Sequence, residues 1–378
     1  MTSSLRTFSK RILIFSNIIV VIFFLLSCSN MFLGPGKWWV IALLGLAFPF
    51  LLILVFAFLI FWLFRRSKWA LLSVFSLVLG WPNINALIGT TIGNKTDTGK
   101  LPGTVRILSW NVRQFGWFTG NKNDTVNHQQ ILDFIQSQDA DILCLQEFYE
   151  NLSKAYKKNS AFEYMKRLGY NYFTYAQDYY HARGMYSMGI VIFSKYPITD
   201  SLRLRYRENQ GLKLGESLLS ADIDINGRKI RVFTTHLQSN QFEYKDYDVL
   251  HKISKVDDSV YSASRSVVKK LRSAYRNRED QADMVRIQLD NSPLPEIITG
   301  DFNDVPNSYA YFKIRGDRQD AFAKKGWGIG RTFSHISPTL RIDYIMADKQ
   351  FKVLRYERKI LNCSDHYPLV TDLQLPSK

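Results

Sequence analysis

Three long apolar stretches at the start of the chain constrain its architecture most. Residues 12–33, 38–64 and 69–88 contain 22, 27 and 20 residues without a charged side chain. A helix needs about 20 predominantly apolar residues to cross the hydrocarbon core of a bilayer. We therefore predict that residues 1–93 anchor the chain in a membrane through about three transmembrane helices.

Two of these stretches have an alternative interpretation. Gly80, Pro82, Asn83 and Asn85 lie in the second half of the third stretch, so the alternative is a segment that lies in the membrane interface without crossing. The first stretch contains Leu25–Cys28 (LLSC), which resembles a lipoprotein cleavage site. A second apolar stretch follows almost at once, which favours an uncleaved helix over a signal peptide.

Basic residues beside the apolar stretches predict the orientation of the anchor. They are Arg6, Lys10 and Arg11 before the first stretch, Lys37 before the second, and Arg65, Arg66 and Lys68 before the third. Short cytoplasmic loops are enriched in Lys and Arg, so the N-terminus is predicted to be cytoplasmic. A third helix that spans then places the rest of the chain outside the cytoplasm, as in a bacterial inner-membrane protein. An interfacial third segment would leave it in the cytoplasm.

A polar segment with Gly and Pro, residues 94–103, is predicted to link the anchor to a domain over residues 104–378. The chain has a net charge of +16, and residues 100–378 contribute +9 through 41 Lys and Arg against 32 acidic residues. Such a charge favours a polyanionic partner. Three cysteines without a C-x-x-C pair argue against a thiolate metal site. A disulfide between Cys144 and Cys363 is the alternative to free buried thiols.

Short apolar strands alternate with helical segments in this domain. Residues 217–237 alternate by two on both sides of Asn226-Gly227, the strongest short signal for a β-hairpin. The other predicted strands are residues 104–113, 141–147, 188–198, 296–304, 341–348 and 366–375, and the predicted helices are residues 128–140 and the charged segment 242–289. Mixed hairpins and helices predict an α/β fold with two packed sheets flanked by helices.

Six predicted strands end on, or near, polar side chains. These are Asn111, Glu147, His236, Asp301 with Asn303, Asp343, and Asp365 with His366. A single Asp after a strand is usually a turn former, but six such ends indicate a shared cleft if the strands lie side by side. Asp, Glu and Asn oxygens suit a hard cation such as Mg²⁺ or Mn²⁺. A His beside an Asp can transfer a proton, and together these groups suit attack of water on a phosphate ester.

Six short motifs resemble the endonuclease/exonuclease/phosphatase superfamily. In chain order they are SWNVR, LQE, THLQ, GDFND, RIDYIM and SDHYPL, within residues 104–376. This superfamily includes DNase I-like nucleases, abasic-site endonucleases, inositol polyphosphate phosphatases and neutral sphingomyelinases. The resemblance implies a four-layered α/β sandwich whose active site lies at one edge of the two central sheets.

The resemblance also implies roles for individual residues. Glu147 is expected to be the principal metal ligand, with Asn111 and Asp365 as further ligands. Asp301 is expected to orient or deprotonate the attacking water. Asn303 is expected to bind the scissile phosphate.

Two histidines complete the expected site. His366 is expected to contact the phosphate while Asp343 fixes its tautomer. His236 is expected to donate a proton to the leaving oxygen, as in DNase I-like members. Gly300 precedes Asp301 and permits the chain to turn there.

Further candidates for substrate contact are Arg113, Arg183 and Tyr186, each with a surface or solvated loop position as the alternative. The segment 242–289 carries a group of basic residues, which we call the basic helix residues. They are Lys269, Lys270, Arg272, Arg276 and Arg278. They are expected either to attract a polyanion or anionic lipid, or to form the solvated face of a packed helix.

Together these features predict a membrane-anchored, Mg²⁺- or Mn²⁺-dependent phosphoester hydrolase. The basic domain and His236 favour a phosphodiesterase that cleaves nucleic acid. The anchor favours the alternative of a lipid-directed enzyme, either a sphingomyelinase-like phosphodiesterase or a phosphoinositide phosphatase. A catalytically retired binding module is the non-enzyme alternative, although no matched ligand is missing. The bilayer is an expected partner, and no obligate protein partner is inferred.

Overall fold

The structure combines a bundle of N-terminal helices with a layered α/β domain. It is a computed structural model that describes residues 3–92, 99–116, 124–152, 160–181, 185–206, 216–240 and 258–376. The described helices are α1 (Ser3–Cys28), α2 (Pro35–Phe64), α3 (Ala70–Leu79), α4 (Trp81–Leu87), α5 (Asp124–Gln138), α6 (Ala161–Arg167), α7 (Asp258–Asp290), α8 (Tyr309–Arg315) and α9 (Ala321–Lys325), with 3₁₀ turns at Ser29–Met31 and Arg113–Gly116.

Twelve of the described strands form two six-stranded sheets. The strands are β1 (Gly89–Thr90), β2 (Val105–Asn111), β3 (Ile142–Asn151), β4 (Tyr172–His181), β5 (Tyr186–Ser194), β6 (Ile198–Arg205), β7 (Ser217–Ile225), β8 (Arg228–His236), β9 (Glu296–Asp301), β10 (Gln319–Asp320), β11 (Trp327–Gly328), β12 (Asp343–Ala347), β13 (Lys352–Arg358) and β14 (Leu369–Gln374). The first sheet has the order β13-β14-β2-β3-β5-β4, and the second has the order β10-β12-β9-β8-β7-β6. The short strands β1 and β11 pair separately.

Side-chain alternation along the strands builds four layers. Ile107 and Cys144 of the first sheet share one buried core with Val232 and Ile297 of the second, so the two sheets pack face to face. The outer face of the first sheet packs on α5 and α6. The outer face of the second packs on α7 and α8. The predicted four-layered α/β sandwich is confirmed.

The same alternation carries polar side chains to one edge of the two sheets. In the second sheet Asp301 pairs with His236 on one side and with Asp343 on the other. All three residues keep the two-residue phase of inward-facing neighbours such as Val232, Ile297 and Ile345. Their side chains therefore lie at the end of the inter-sheet core rather than in the outer layers.

The N-terminal helices agree with the predicted anchor. In the described residues, Thr7–Met31 and Pro35–Phe64 are long and apolar enough to cross a membrane. Helices α3 and α4 make up a third candidate that is bent by 67°. The bend falls at Gly80 and Pro82, within the part of this stretch that the sequence marks as weakest.

The anchor packs directly on the α/β domain through Asn307. The Asn307 side chain donates to the carbonyl of Ser27 at the end of α1 over 3.0 Å, and it accepts from Asn83 of α4 over 2.5 Å. A Cβ atom added at Gly45 of α2 would lie 2.7 Å from the Asn307 carbonyl oxygen, so a larger residue would separate them. One residue of the domain thus contacts three helices of the anchor.

The described cysteines are free and buried. Cys144 lies in the core between the sheets, whereas Cys363 lies in the core beneath α5 and α6. The disulfide considered as an alternative is therefore wrong, because the first sheet separates the two thiols.

Candidate active site

A β-bulge places Glu147 at the edge of the first sheet. Strand β3 loses its register with β5 between Leu145 and Phe148, and Glu147 has a φ of 49°. Leu145 and Phe148 both belong to the outer core beneath α5, so the extra residue lets Glu147 leave the strand alternation. Its carboxylate accepts a hydrogen bond from Asn111 Nδ2 over 3.1 Å. Bulges of this kind commonly redirect a side chain beside an active site.

Gly300 brings strand β9 close enough to β8 to place Asp301. Its φ is 136°, and a Cβ atom there would lie 2.0 Å from the Thr235 carbonyl oxygen. Asp301 is only 1% exposed. Its Oδ1 accepts from the backbone N–H of Asn303 over 2.8 Å, and its Oδ2 accepts from Asn111 Nδ2 over 3.2 Å. Asn111 therefore joins carboxylates from the two sheets.

Two imidazole rings face Asp301. His236 Nε2 lies 3.5 Å from Asp301 Oδ2, and His366 Nε2 lies 3.6 Å from the same oxygen. Each ring has a second carboxylate at its other nitrogen. His366 Nδ1 lies 3.0 Å from both oxygens of Asp343, and His236 Nδ1 lies 3.7 Å from Glu216 Oε1. Asp343 thereby fixes the orientation of the His366 ring, and the Nε2 atoms of both rings point at Asp301 Oδ2.

This arrangement shifts the pKa values of the buried groups. Burial lowers the pKa of His366, but the charges of Asp343 and Asp301 outweigh it and raise this pKa well above its usual value. His236 behaves similarly, because Glu216 and Asp301 outweigh burial and raise its pKa. Burial raises the pKa of Asp301 and raises that of Glu216 to about 8. Two protonated rings facing one spot would stabilise negative charge that develops there.

The donor set at this edge suits a hard divalent cation. Glu147 and Asp301 converge on the Asn111 amide group, and two carboxylates near one another favour a positively charged partner. Oxygen donors without a thiolate are typical of Mg²⁺ or Mn²⁺ sites.

A second possible ligand group is Asp301, Asp343 and His366, whose ligand atoms lie within 4.8 Å of one another. Because His366 Nδ1 is already bound to Asp343, we interpret that group as a His–Asp pair. Glu147 and Asn111 are the better candidates to hold an ion.

The other predicted site residues lie around this centre. Asp365 lines the same cavity as Glu147, and its carboxylate lies 3.4 Å from Arg113 Nε. Arg113 thus forms an ion pair with Asp365, which is a predicted metal ligand. Asn303 also lines the cavity, although its side-chain amide donates to the Leu237 carbonyl over 2.9 Å.

The remaining two candidates for substrate contact are Tyr186 and Arg183. Tyr186 stacks on Tyr149, with 5.4 Å between the ring centroids. Arg183 lies outside the described residues.

Sequence reasoning missed Glu216 and misplaced Arg278. Glu216 precedes β7, and only the pairing of β7 with β8 brings it beside His236. Arg278, predicted to attract a polyanion or to lie on a solvated face, is 1% exposed. Its guanidinium lies 3.2 Å from Asp304 Oδ2 and donates to the Gln238 carbonyl over 2.9 Å. The expectation that Arg278 lies on a solvated face is wrong, because helical spacing alone did not show which face of α7 packs on the domain. Arg278 lines the same cavity as Asp301.

A cavity of about 200 Å³ opens at this edge. One part of its wall is polar and contains Glu147, His236, Asp301, Asn303, Asp365 and His366. Another part is apolar and contains Phe333, Ile336, Leu340 and Ile342 together with Leu46 of α2. The anchor therefore contributes a side chain to the cavity that holds the two histidines.

The sequence matches a known family model over most of the domain. Residues 108–366 match the model described as Endonuclease/Exonuclease/phosphatase family, and residues 10–87 match a domain of unknown function. No curated protein matches this sequence.

Solved structures support the same fold. An endonuclease/exonuclease/phosphatase from Beutenbergia cavernae is 21% identical, with a TM-score of 0.52 over 72% of this chain and 72% of that chain. The catalytic domain of human Nocturnin with bound sulfate anion is 20% identical, with a TM-score of 0.50 over 72% of this chain and 95% of that chain. Likeness at these identities shows the fold alone. Since the family model covers more than half of the chain and spans Asn111 to His366, the chain belongs to the endonuclease/exonuclease/phosphatase family.

Proposed function

We propose that this protein is a membrane-anchored, divalent-metal-dependent phosphoester hydrolase. The observation that carries the proposal is the position of Asp301 Oδ2, which lies 3.5 and 3.6 Å from the Nε2 atoms of His236 and His366. A water and a phosphoryl group placed there would have a proton acceptor and two cationic donors within reach.

Each side chain has a distinct part in the proposed reaction. A divalent ion held by Glu147 and Asn111 would supply positive charge to the phosphoryl oxygens and lower the pKa of water. Asp301 orients the attacking water and accepts its proton, a role that its raised pKa suits. His366, oriented by Asp343, donates to a phosphoryl oxygen, and His236 donates a proton to the leaving oxygen.

The outer residues have supporting roles in this proposal. Asn303 would hold the phosphate while its backbone N–H keeps Asp301 in place. Asp365 would either bind a further ion or orient Arg113 toward the phosphate, and their 3.4 Å separation supports the second role.

Two substrate classes compete within this function. The +9 charge of residues 100–378 favours nucleic acid. The environment of the basic helix residues favours lipid. The Arg272 guanidinium lies 5.7 Å from the Trp39 ring centroid on α2, and Arg278 forms a buried ion pair with Asp304.

We further propose that the domain lies outside the cytoplasm of a bacterial cell. Ser73 of α3 bonds to Asn17 of α1, and Asn83 of α4 bonds to the Cys28 carbonyl at the end of α1. The bent pair α3–α4 thus follows α1 toward the domain. This path supports a third crossing, which places the domain opposite the basic residues that precede α1 and α3.

The experiment uses the full chain purified in detergent with bis(p-nitrophenyl) phosphate as substrate. Hydrolysis should require Mg²⁺ or Mn²⁺, stop in EDTA, and fall at least about a hundredfold in Glu147→Gln. Glu163→Gln, an exposed position on α6, is the matched control. Activity that persists in EDTA would overturn the metal mechanism. A folded protein that binds Mg²⁺ by calorimetry without hydrolysing this substrate, DNA or lipid would indicate the retired binding module.

A further inference from the structure

The apolar wall of the candidate active site is built partly from the membrane anchor. Leu46 of α2 lines the same cavity as Asp301 and His366. Leu46 is 36% exposed and Ile336, on the opposite loop, is 42% exposed. Both side chains therefore form part of the open side of the cavity rather than its closed floor.

The length of α2 places Leu46 close to the membrane boundary. This helix has 30 residues, with a kink at Trp38 near its start and Pro49 in its interior. Its first turns are covered by the domain, since the Gly36 N–H donates to Glu279 Oε2 over 2.5 Å and Gly45 contacts Asn307. The part from Leu46 to Phe64 is about 29 Å long, which matches a hydrocarbon core of about 30 Å. With the far edge of the hydrocarbon at Phe64, which Arg65 and Arg66 follow, the near edge falls at Leu46, beside the mouth of the cavity.

Aromatic and basic residues lie at the same end of α2. Trp38 is exposed, and the neighbouring Trp39 lies under the Arg272 guanidinium of α7. Lys269 and Arg276 on α7 are also exposed. Trp is typical of the lipid headgroup layer, and Lys and Arg near a bilayer attract anionic headgroups. These residues give the domain a lipid-facing side next to the cavity.

We propose that the substrate is a membrane lipid with a phosphoester in its headgroup, taken from the leaflet that the domain covers. This inference rests on the proposed phosphoester hydrolysis and names its substrate class. The phosphate would lie between His236 and His366, and the first carbons of the lipid would lie on Leu46 and Ile336. A cavity of about 200 Å³ is smaller than the roughly 300–1,000 Å³ typical of pockets that enclose a whole ligand. Only the headgroup enters, and the chains stay in the bilayer.

The reaction is a hydrolysis and needs no further reactant. The water oxygen bonds to phosphorus and its proton passes to Asp301, while the phosphorus–oxygen bond to the leaving group breaks. The leaving oxygen takes a proton from His236. The products are a phosphate monoester or free phosphate and an alcohol.

The test compares a bilayer substrate with a soluble one on the full chain. The protein is reconstituted with Mg²⁺ in vesicles of total bacterial lipid labelled with radioactive phosphorus and supplemented with sphingomyelin, and released phosphate or headgroup is measured. Bis(p-nitrophenyl) phosphate and plasmid DNA are assayed in parallel. Leu46→Gln and Ile336→Gln should each lower lipid turnover about tenfold, the scale expected for a lost apolar contact with substrate. Hydrolysis of bis(p-nitrophenyl) phosphate should change less than about twofold.

Val40→Gln is the matched control, because Val40 is exposed on the same helix and is not among the residues that line the cavity. It should leave both activities unchanged. Equal loss of lipid and soluble activity in Leu46→Gln and Ile336→Gln would overturn the proposal, since these residues would then only support the fold. DNA cleavage without lipid turnover would overturn it and leave phosphoester hydrolysis standing. No turnover of any substrate by the unmodified protein would overturn the proposed function as well.

Discussion

The Asn83 side-chain amide in α4 donates to the Asn307 side-chain oxygen over 2.5 Å. Asn307 lies six residues after Asp301 in the loop that leaves β9, so a helix of the N-terminal apolar bundle directly holds the loop of the candidate active site. Asn307 also donates to the Ser27 carbonyl over 3.0 Å. Both asparagines are buried, where an unpaired amide is unfavourable.

Asn307→Ala is expected to destabilise the full chain by about 1–3 kcal/mol, because it leaves buried polar groups without partners. Together with Asn83→Ala the losses should be less than additive by about 1 kcal/mol, since the two side chains share one hydrogen bond. Denaturant unfolding in detergent measures both quantities. Asn291→Ala, at an exposed position, should change stability by less than about 0.5 kcal/mol. Additive losses would show that the two residues act independently.

Gly300→Ala tests the close approach of β9 and β8. The added methyl group would lie 2.0 Å from the Thr235 carbonyl oxygen at a φ of 136°, so we expect a loss above about 4 kcal/mol or no folded protein. Gly169→Ala is the control for backbone strain alone, because Gly169 has a φ of 91° with open space around it, and about 1–2 kcal/mol is expected there. The yield of folded protein and its unfolding midpoint distinguish the two variants. Similar effects of both would refute the steric account.

Asp343→Asn tests whether the carboxylate organises His366. The substitution removes the charge that holds the ring protonated and correctly oriented, so the rate constant for bis(p-nitrophenyl) phosphate should fall about 10³–10⁴-fold. The unfolding midpoint should change little. Asp317→Asn is the control, since Asp317 pairs with Lys349 at an exposed position. A fall of less than tenfold would remove Asp343 from the proposed machinery.

Arg278→Met tests the corrected role of this arginine. Removing one partner of the buried pair with Asp304 should destabilise the chain by about 3–5 kcal/mol. Arg276→Met, two residues earlier on an exposed face of α7, should cost less than about 0.5 kcal/mol. Thermal unfolding of the two variants makes the comparison. Equal stability of the two variants would contradict the buried position of Arg278 and indicate a solvated side chain.

Glu150 is expected to make stability depend on pH. Burial raises its pKa to about 7 from an ordinary 4.5, so the folded state binds more protons than the unfolded state between these values. The stabilising contribution of the protonated Glu150 should therefore be fully present below pH 4.5 and be lost as the pH rises through about 7, by at most about 3 kcal/mol. Glu150→Gln cannot ionise, so its unfolding free energy should decline less than that of the unmodified protein over this pH range; other buried carboxyls with raised pKa values, such as Glu216, remain. Parallel pH profiles for the two proteins would contradict the assignment.

The sequence predicted the central strands because their alternation is strong. Strands β2, β3, β5, β7, β8, β9, β12 and β14 fall within, or largely overlap, the predicted ones. Strand β6 was not predicted, since Ile198–Arg205 is mostly exposed and only three of its residues are apolar. The alternation of apolar and polar residues reflects burial of one face of a strand. Exposed edge strands of this kind are therefore hard to predict from the sequence.

The site was predictable where chemistry coincided with a strand end, and unpredictable where it depended on distant packing. Asn83 illustrates the limit. From the sequence it counted against a spanning third segment, whereas the structure shows a polar residue matched to Asn307, which lies 224 positions further along the chain. Glu216 was missed for the same reason, because its partner His236 is known only from the pairing of β7 with β8.

The bulge in β3 interrupts regular strand pairing but places the carboxylate of Glu147 at the candidate active site. Deleting Gln146, between Leu145 and Phe148, would let β3 pair with β5 without interruption. Backbone idealisation of this kind usually stabilises a designed protein. The same deletion would return the carboxylate of Glu147 to the strand alternation and remove it from Asn111. A thermostabilised version of this protein would therefore have to keep the irregularity, and selection for stability alone would tend to erase it.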